Sequence, residues 1–327
     1  MNNMEILSNQ QDRGRRLIMI MYVGVTDKNW YQQLSAQRPD EVNFWSPSGR
    51  SFKALQEGEL FLFKLHAPDN YIVGGGYFVR FSALPPFLAW QAFGEKNGTR
   101  TYDEFCKRLQ KYRGRNGIDG TYQVGCSILT EPFWFDEQDW IPVPEWSNSI
   151  VSGKRFYSGT EIGDQLYQDV IDRIPRSKHA EGINQSLFAE SAGINRYAEY
   201  TTKHRLGQGA FRILVTDAYQ RRCAITGEKT LPVLEAAHIK PYGQDGPHSV
   251  RNGILLKSDF HTLFDDGYLT ITKDYNVEVS QRLHNDYGNG KDYYKHHGQK
   301  LLILPGQENQ LPSKEYLEWH NEHVYLG

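Results

Sequence analysis

Three side chains that can do acid–base or metal chemistry follow one another in the last third of the chain. His238 lies in an apolar run, Asn252 precedes a second apolar run, and His261 comes shortly after it. A neutral imidazole has an unperturbed pKa near 6.5, so it can accept a proton from water at neutral pH. His238 is therefore a candidate general base, and His261 is a candidate ligand of a divalent ion. A base and an ion together supply what phosphodiester hydrolysis needs, an activated water and a positive centre for the developing charge.

Two strands and a helix must position these side chains. Residues 231–239 are strand-like, residues 241–247 contain turn formers, and residues 253–256 form a second short apolar strand. Ser258 is placed to cap a helix that Gly267 ends. This order of elements brings the two histidines and the asparagine to a common point.

Residues 221–271 resemble the HNH, or ββα-metal, nuclease family. The resemblance implies that His238 is the general base, that Asn252 orients it or supports the metal site, and that His261 helps to hold Mg²⁺, Mn²⁺ or another transition metal. Many members carry an Asp or His directly before the base, where this chain has Ala237. Three carboxylates are open as the remaining ligands, and Asp259 is preferred among Glu235, Asp259 and Asp265.

The cysteines argue against a structural zinc site. The chain has three, Cys106, Cys126 and Cys223, and they are scattered and odd in number. This pattern suits neither a disulfide framework nor the four-cysteine zinc clip that some HNH nucleases carry. We therefore expect the metal site to depend on histidine and carboxylate ligands alone.

Positive charge is concentrated around the candidate site. The whole chain has a formal charge of -2, so a nucleic-acid surface must be local. Residues 203–257 contain nine Lys and Arg against four Asp and Glu, a net of +5. A solvated face is the alternative explanation. The predicted DNA phosphate contacts are Arg221, Arg222, Lys240, Arg251 and Lys257.

The first half of the chain is rich in aromatic residues and strand patterns. Residues 60–65, 71–81 and 123–129 are strand-like, and the glycines at 74–76 predict a bulge or a close backbone approach. Thr101 and Glu104 form a capping box before a helix of about 12 residues. Pro85 and Pro86 precede a shorter helix. A mixed sheet with packed helices, and hence an α+β fold, is the economical interpretation.

The order of motifs in this half resembles the EVE-like branch of the PUA superfamily. It consists of Trp30, an aromatic loop at 43–49, two strands and a helix that carries Trp90. With the nuclease motif, the resemblance is to EVE-HNH modification-dependent (type IV) restriction endonucleases. It implies an EVE-like mixed β-barrel with packed helices at 17–160, a connector at 161–205 and an HNH domain at 206–327.

The resemblance also implies that the first domain recognises 5-methylcytosine or 5-hydroxymethylcytosine. A reader can flip the nucleotide out of the duplex and stack it between aromatic faces. Core packing is the competing role for aromatic side chains. The residues predicted to form the base pocket are Trp45, Trp30, Tyr77, Asn43 and Ser46.

Two other functions remain open from the sequence. The first domain could bind RNA or unmodified nucleic acid, or the absent ligand at Ala237 could mark a catalytically silent DNA-binding module. The expected partner is double-stranded DNA with modified cytosine, and a homodimer or sequential nicking must supply a double-strand break. No apolar run reaches the length of a membrane span, and the N-terminal segment lacks signal-peptide features. A cytoplasmic location is therefore expected.

Overall fold

The computed structural model describes residues 19–113, 121–147, 149–174 and 206–327. The first unit extends to residue 174. Its strands are β1 (Ile20–Thr26), β2 (Glu41–Ser46), β3 (Leu60–Leu65), β4 (Tyr71–Leu84), β5 (Val124–Trp134), β6 (Ile141–Pro142) and β7 (Gly153–Tyr157). Its helices are α1 (Lys28–Gln37), α2 (Pro86–Phe93), α3 (Tyr102–Arg113) and α4 (Glu161–Arg173).

The strands of the first unit form one mixed sheet. Their order is β2-β5-β4-β3-β1-β7, and β6 pairs with β4. Strands β1 and β3 are parallel, and the other pairs are antiparallel. Alternation along β3 separates two cores. Leu60 and Leu62 face one core, whereas Phe61 and Phe63 face an aromatic core that contains Trp30. The predicted α+β class, a mixed sheet with packed helices, is confirmed.

The glycine run in β4 has the predicted effect. The register with β5 shifts between Gly75 and Tyr77, as expected for a bulge. Gly74 has a φ of +153°, and a Cβ there would lie 2.3 Å from the carbonyl oxygen of Phe133. Glycine is thus required where the two backbones meet. Helix α3 has the predicted 12 residues, and the Thr101 hydroxyl accepts the Glu104 N–H at 3.2 Å.

Helix α4 lies within the segment predicted to be a connector. Thr160 caps it by accepting the Gly163 N–H at 3.1 Å, and Leu166 and Val170 are buried against Met21 of β1. This part of the 161–205 segment is therefore packed on the first sheet. Residues 175–205 and residues 17–18 lie outside the described part of the chain.

The second unit contains the predicted hairpin and helix. Its strands are β8 (Leu234–His238), β9 (Gly253–Lys257), β10 (Leu269–Ile271) and β11 (Val277–Val279). Its helices are α5 (Gln208–Ala218), α6 (Ser258–Asp265), α7 (Arg282–Tyr287), α8 (Lys291–Tyr294) and α9 (Lys314–His323). Strands β8 and β9 are antiparallel, as are β10 and β11. Among the described helices, none has the length and apolar character to span a membrane.

Two boundaries differ from the sequence prediction. Strand β8 begins only at Leu234, because residues 231–233 form a 3₁₀ turn. Ser258 is the first residue of α6 and not its cap, since Lys257 occupies the N-cap position and no side chain caps the helix there. Gly267 follows the end of α6 with a φ of +78°, the left-handed conformation that glycine supplies at helix ends.

Helix α5 packs in one hydrophobic core of each unit. Ala210 and Ile213 pack in the core beneath α2 and α3, whereas Phe211 and Val215 pack in the core of the second unit. The spacing of these residues places the two pairs on different faces of one helix. The two units are therefore joined by a shared helix that each of them buries.

A buried carboxylate of the first unit caps this helix. Glu41 on β2 is fully buried, and its two oxygens accept the N–H groups of Gly209 at 2.8 Å and Ala210 at 2.9 Å. Lys96 donates to the same carboxylate at 2.9 Å. The N-cap residue Gly207 has no side chain to do this. The negative charge of Glu41 thus lies where the positive end of a helix dipole favours it.

Candidate active site

The hairpin and helix α6 position the predicted base and ligand. His238 ends β8 and pairs in register with Gly253, the first residue of β9. His261 lies in α6, which follows β9 without an intervening loop. Both histidines line one pocket of about 680 Å³. Ala237 is fully buried in the hydrophobic core, so the position before the base contributes no ligand.

His238 lies between a ring and a second histidine. Its imidazole stacks on Phe211 at a centroid distance of 3.9 Å and an angle of 12°. Its Nε2 lies 2.9 Å from Nδ1 of His248. Burial, followed by the nearby His248 and His261, lowers the pKa of His238 to about 4, although Asp265 acts in the opposite direction. The imidazole is therefore neutral at pH 7, as a proton acceptor must be.

His248 was not found from the sequence. It lies in the loop between β8 and β9 and stacks on Tyr242 at 4.4 Å. Burial lowers its pKa, so it is also uncharged at neutral pH. The available signal was a third histidine close to His238 in a loop rich in turn formers. Spacing alone did not predict that the loop would fold back onto the base.

His261 lies between two carboxylates. Its Nδ1 is 2.6 Å from Glu235 Oε2, and its Nε2 is 3.2 Å from Asp265 Oδ2. Burial alone would lower the pKa of His261, but the hydrogen bonds and charges of Asp265 and Glu235 outweigh it and raise the pKa. The two carboxylates thus favour the protonated, positively charged form of His261.

These three side chains fit a divalent ion by their chemistry. One imidazole nitrogen and carboxylate oxygens are donors that Mn²⁺ and other transition metals accept, and Mg²⁺ takes the carboxylates. In the protonated imidazole, the Nδ1–H donates to Glu235 and the Nε2–H donates to Asp265, so positive charge is stabilised at this place. His261 therefore bonds to each of the two carboxylates. Within the described residues, no group of three His, Cys, Asp or Glu side chains is already arranged as a ligand set.

Asp259, the preferred ligand from the sequence, lies elsewhere. It forms an ion pair with Lys257 at 3.2 Å and is not among the residues that line the pocket of His238 and His261. Glu235 and Asp265 do line it. One helical turn separates Asp265 from His261, which places them on the same face of α6.

Asn252 supports the loop rather than the pocket. Its fully buried amide accepts the Lys240 N–H at 2.9 Å and donates to the carbonyls of Lys240 at 2.8 Å and Pro247 at 3.0 Å. These bonds use both of its donor hydrogens. Asn252 therefore holds the loop that follows His238, which fits the orienting role that the resemblance implies.

The predicted phosphate contacts have different surroundings. Arg221 donates to the carbonyl of Ala83 at 2.8 Å, and it pairs with Asp217 at 3.2 Å. It therefore joins the two units. Lys240 lies 5.5 Å from the Trp319 ring centroid, and Arg222 contacts the carbonyl of Gly227 at 3.4 Å. Lys257 is the partner of Asp259, and Arg251 is exposed.

Helix α5 and the first unit complete the pocket. Phe211 and Arg212 of α5 line it, together with Gln91 and Ala92 of α2. The Arg212 guanidinium donates from Nη2 to Oε1 of Gln91 at 3.1 Å. Sequence reasoning counted Arg212 only as part of the basic region, since its place in the pocket depends on how the two units pack.

The predicted base-pocket residues are not gathered at one place. Trp30 is 2% exposed and Tyr77 is 7% exposed, so both lie in the cores. Asn43 is fully buried and donates to Asn97 Oδ1 at 2.8 Å. Ser46 bonds to the carbonyl of Ser48 at 2.9 Å. These four side chains are engaged in holding the sheet and its loops.

Trp45 is the half-buried aromatic member of the set. Its Nε1 donates to the carbonyl of Asn97 at 2.9 Å, and its ring meets Phe105 and Tyr112 edge-on at 5.6 and 6.0 Å. A separate pocket of about 550 Å³ follows the end of β2. Its described lining residues are Pro47, Ser48, Gly49, Arg50, Arg113, Thr121, Tyr122 and Gln123.

Residues 223–272 match the family model described as HNH endonuclease. This segment spans β8, β9 and α6, and it contains His238 and His261 of the pocket. The chain thus carries an HNH endonuclease domain, as the sequence predicted. Helix α5, which supplies Phe211 and Arg212, lies before the matched segment. A search of curated proteins finds no match.

Three solved structures share features with the chain at low similarity. A mutant ASCH protein from Zymomonas mobilis is 10% identical, with 45% of this chain and 96% of that chain covered at a TM-score of 0.31. The ASCH protein itself is 10% identical, with 45% and 94% covered at 0.29. The modification-dependent TagI restriction endonuclease is 13% identical, with 87% and 75% covered at 0.27. Scores this low do not establish a shared fold, and the EVE-like assignment stays a prediction.

Proposed function

We propose that this chain, which carries an HNH endonuclease domain at residues 223–272, is a restriction endonuclease that cleaves DNA containing 5-methylcytosine or 5-hydroxymethylcytosine. The observation that carries the proposal is the pocket at the boundary of the two units. It combines His238 and His261 of the second unit with Gln91 and Ala92 of the first. The neighbouring unit thus contributes residues to the pocket of the nuclease domain. Such an arrangement suits an enzyme in which one domain selects the DNA and the other cleaves it.

His238 acts as the general base. When its Nε2–H donates to Nδ1 of His248, its own Nδ1 keeps the lone pair that accepts a proton from water. The water oxygen then bonds to phosphorus, the bond from phosphorus to the leaving oxygen breaks, and that oxygen is protonated by solvent. Stacking on Phe211 fixes the plane of the imidazole, so its lone pair has one direction in the pocket.

His261, Glu235 and Asp265 would hold the divalent ion. Such an ion supplies a Lewis acid for the charge that develops on phosphate and leaving group. To serve as a ligand, His261 would release to solvent the proton of the one ring nitrogen that binds the ion. Asn252 holds the loop from Lys240 to Pro247, which keeps His248 beside the base.

The first unit is proposed to read the modified base. A flipped cytosine stacked on an aromatic ring gains roughly 1 to 3 kcal/mol, which helps to offset an unpairing cost of a few kcal/mol. Trp45 is the proposed platform, since it is half-buried and lies on β2 two residues before Pro47, which lines the second pocket. Arg50 and Arg113 line that pocket and provide positive charge for the DNA backbone.

The proposal is tested with matched plasmids. Two preparations of one sequence, methylated and unmethylated at cytosine, are incubated with the protein and Mg²⁺ or Mn²⁺. We expect nicks or breaks in the methylated plasmid and cleavage of the other that is slower by about fivefold or more, since 1 to 3 kcal/mol of selective stacking corresponds to about 5- to 150-fold. Equal cleavage of the two plasmids would rule out modification reading.

RNA and an inactive variant provide the controls. If the first unit binds RNA, unlabelled RNA will compete with labelled methylated duplex as well as methylated DNA does. If the chain is a silent DNA-binding module, His238→Ala will leave the cleavage by a purified preparation unchanged. The proposal predicts poor competition by RNA and loss of cleavage in the variant.

A further inference from the structure

We infer that Arg212 contacts the scissile phosphate in the catalytic pocket, and that Gln91 of the first unit holds its guanidinium in place. This inference rests on the proposed endonuclease function and adds a residue to its site. Arg212 lies before the segment that matches the HNH family, on the helix that both units bury. The pocket it lines also contains His238, Glu235 and Asp265.

Arg212 is half-buried, and its guanidinium is oriented by the side-chain amide of Gln91 rather than by a carboxylate. Its Nη2 donates to Gln91 Oε1 at 3.1 Å, and its Nη1 points at the Gln91 carbonyl at 3.5 Å. Within the described residues the hydrogen bonds of its guanidinium go to neutral oxygens. Among these same residues no ion pair neutralises it directly, and Glu235 acts on its charge through space. A guanidinium has five N–H donors. Those not used by Gln91 are available to an anion.

A positive side chain in this pocket favours the entry of DNA. Glu235 and Asp265 are carboxylates in the same pocket, and they repel the phosphodiester that His238 must reach. A guanidinium matches two phosphate oxygens with two parallel hydrogen bonds. It also stabilises the additional charge that develops on those oxygens during hydrolysis. Arg212 is the arginine that lines this pocket.

The position of Arg212 is tied to that of the base. The adjacent Phe211 stacks on His238 at 3.9 Å, and the Glu41 carboxylate caps the helix one turn earlier through Gly209 and Ala210. The backbone of Arg212 is thereby fixed against both units. Gln91, on α2, then limits the direction of the side chain. The first unit therefore contributes residues to the catalytic pocket, in addition to its proposed role in binding modified DNA.

The salt dependence of DNA binding tests the contact without any cleavage. Wild type, Arg212→Gln and Arg282→Gln are titrated with a fluorescent duplex in EDTA at several salt concentrations. Each lost phosphate contact reduces the slope of log K against log salt by about 0.9. We expect a reduction of about 0.9 for Arg212→Gln and no change for Arg282→Gln. Arg282 is a matched control because it is an exposed arginine of the second unit paired with Asp286.

Cleavage rates distinguish a catalytic contact from a binding contact. In single-turnover reactions, Arg212→Gln is expected to cut about 10²- to 10³-fold more slowly at saturating protein, as for the loss of one donor to a developing charge. Gln91→Ala should change the rate in the same direction by a smaller factor. Arg212→Lys keeps the charge, so it should retain the wild-type salt slope while remaining slower than wild type.

An unchanged salt slope in Arg212→Gln, or a cleavage rate within twofold of wild type, would overturn the inference. If Arg212→Gln does not fold, a wild-type cleavage rate in Arg212→Lys overturns it instead. Equal cutting of modified and unmodified DNA by the wild type contradicts the modification-reading proposal alone. The salt slope still decides the role of Arg212 in that case.

Discussion

The two units of this chain differ in what happens to their candidate functional residues. In the second unit, Glu235 and His238 lie on β8, His261 and Asp265 lie on α6, and all four line one pocket. In the first unit, the predicted base-pocket residues disperse into cores, loops and one half-buried ring. Titratable side chains gain little from burial, whereas large aromatic side chains gain much. Histidine spacing is therefore a more specific signal than aromatic content.

The largest expected effect is a difference in stability between alanine variants of two tryptophans of the first unit. Trp30→Ala empties a site packed against Phe44, Phe63 and Trp134. It should lower the free energy of unfolding by about 3–5 kcal/mol. Trp45→Ala should cost less stability, because its ring is half-exposed, and should instead weaken the preference for methylated duplex by about 1–3 kcal/mol. Urea unfolding and duplex titration measure the two quantities.

The two tryptophans serve as controls for each other. If Trp45→Ala unfolds as easily as Trp30→Ala and keeps the full preference for methylated DNA, Trp45 is another core residue. The base pocket would then have to be formed by other side chains, such as those around Arg50 and Tyr122.

A second experiment compares three carboxylates on or near helix α6. Glu235→Gln and Asp265→Asn should each slow cleavage by about 100-fold or more. An ion contributes several kcal/mol of transition-state stabilisation, and 1.36 kcal/mol is a factor of ten. Asp259→Asn should change the rate by less than about threefold, because Asp259 pairs with Lys257 outside the pocket. Single-turnover rates across a Mn²⁺ titration measure this.

The outcome decides between the sequence preference and the observed placement. If Asp259→Asn is as damaging as Glu235→Gln, the ligand preferred from the sequence is the correct one. Higher Mn²⁺ should partly rescue the variants of true ligands, since their defect is weaker binding of the ion.

In the second unit, the features that depend on residues close in sequence were predicted. The features that depend on contacts between distant residues were missed. The hairpin, helix α6 and Gly267 follow from short apolar runs, turn formers and glycine conformation, which depend on neighbours in sequence. His248 and Arg212 were missed because their roles depend on a folded loop and on packing between units. Trp30 was proposed for a pocket and lies in a core, since its burial is decided by packing against the sheet. Helix α4 was assigned to a connector because its burial, like that of Trp30, depends on packing against the sheet.

A third experiment tests how firmly the two units are joined. Glu41→Gln keeps the shape of the side chain but leaves one helix N–H or Lys96 without an acceptor. We expect a loss of about 1–3 kcal/mol in the free energy of unfolding. Asp40→Asn is the control, because it touches the same Lys96 from a largely exposed position and should cost less than about 1 kcal/mol. Equal effects would show that Glu41 is not a joint between units.

The smallest effect concerns a second histidine whose pKa is lowered to about 4 by burial. His320 bonds to Thr270 Oγ1 and to the carbonyl of Phe264, and the latter bond partly opposes the shift. The unfolded chain binds a proton near pH 6.5 and the folded chain near pH 4, so stability is full above pH 6.5 and declines as the pH falls. Between pH 7 and 5, wild type should lose more stability than His320→Gln. A parallel loss in both proteins would contradict this assignment.

The most direct measurement of the central claim is plasmid cleavage by His238→Ala beside wild type. Both proteins are purified identically and incubated with supercoiled methylated plasmid and Mn²⁺, and duplex binding is measured in EDTA. Loss of a general base predicts cleavage about 10²- to 10⁴-fold slower than wild type, with duplex affinity within about threefold, since a neutral imidazole forms no ion pair with phosphate. Undiminished cleavage by His238→Ala would contradict the account, because the nuclease site would then lie elsewhere in the chain.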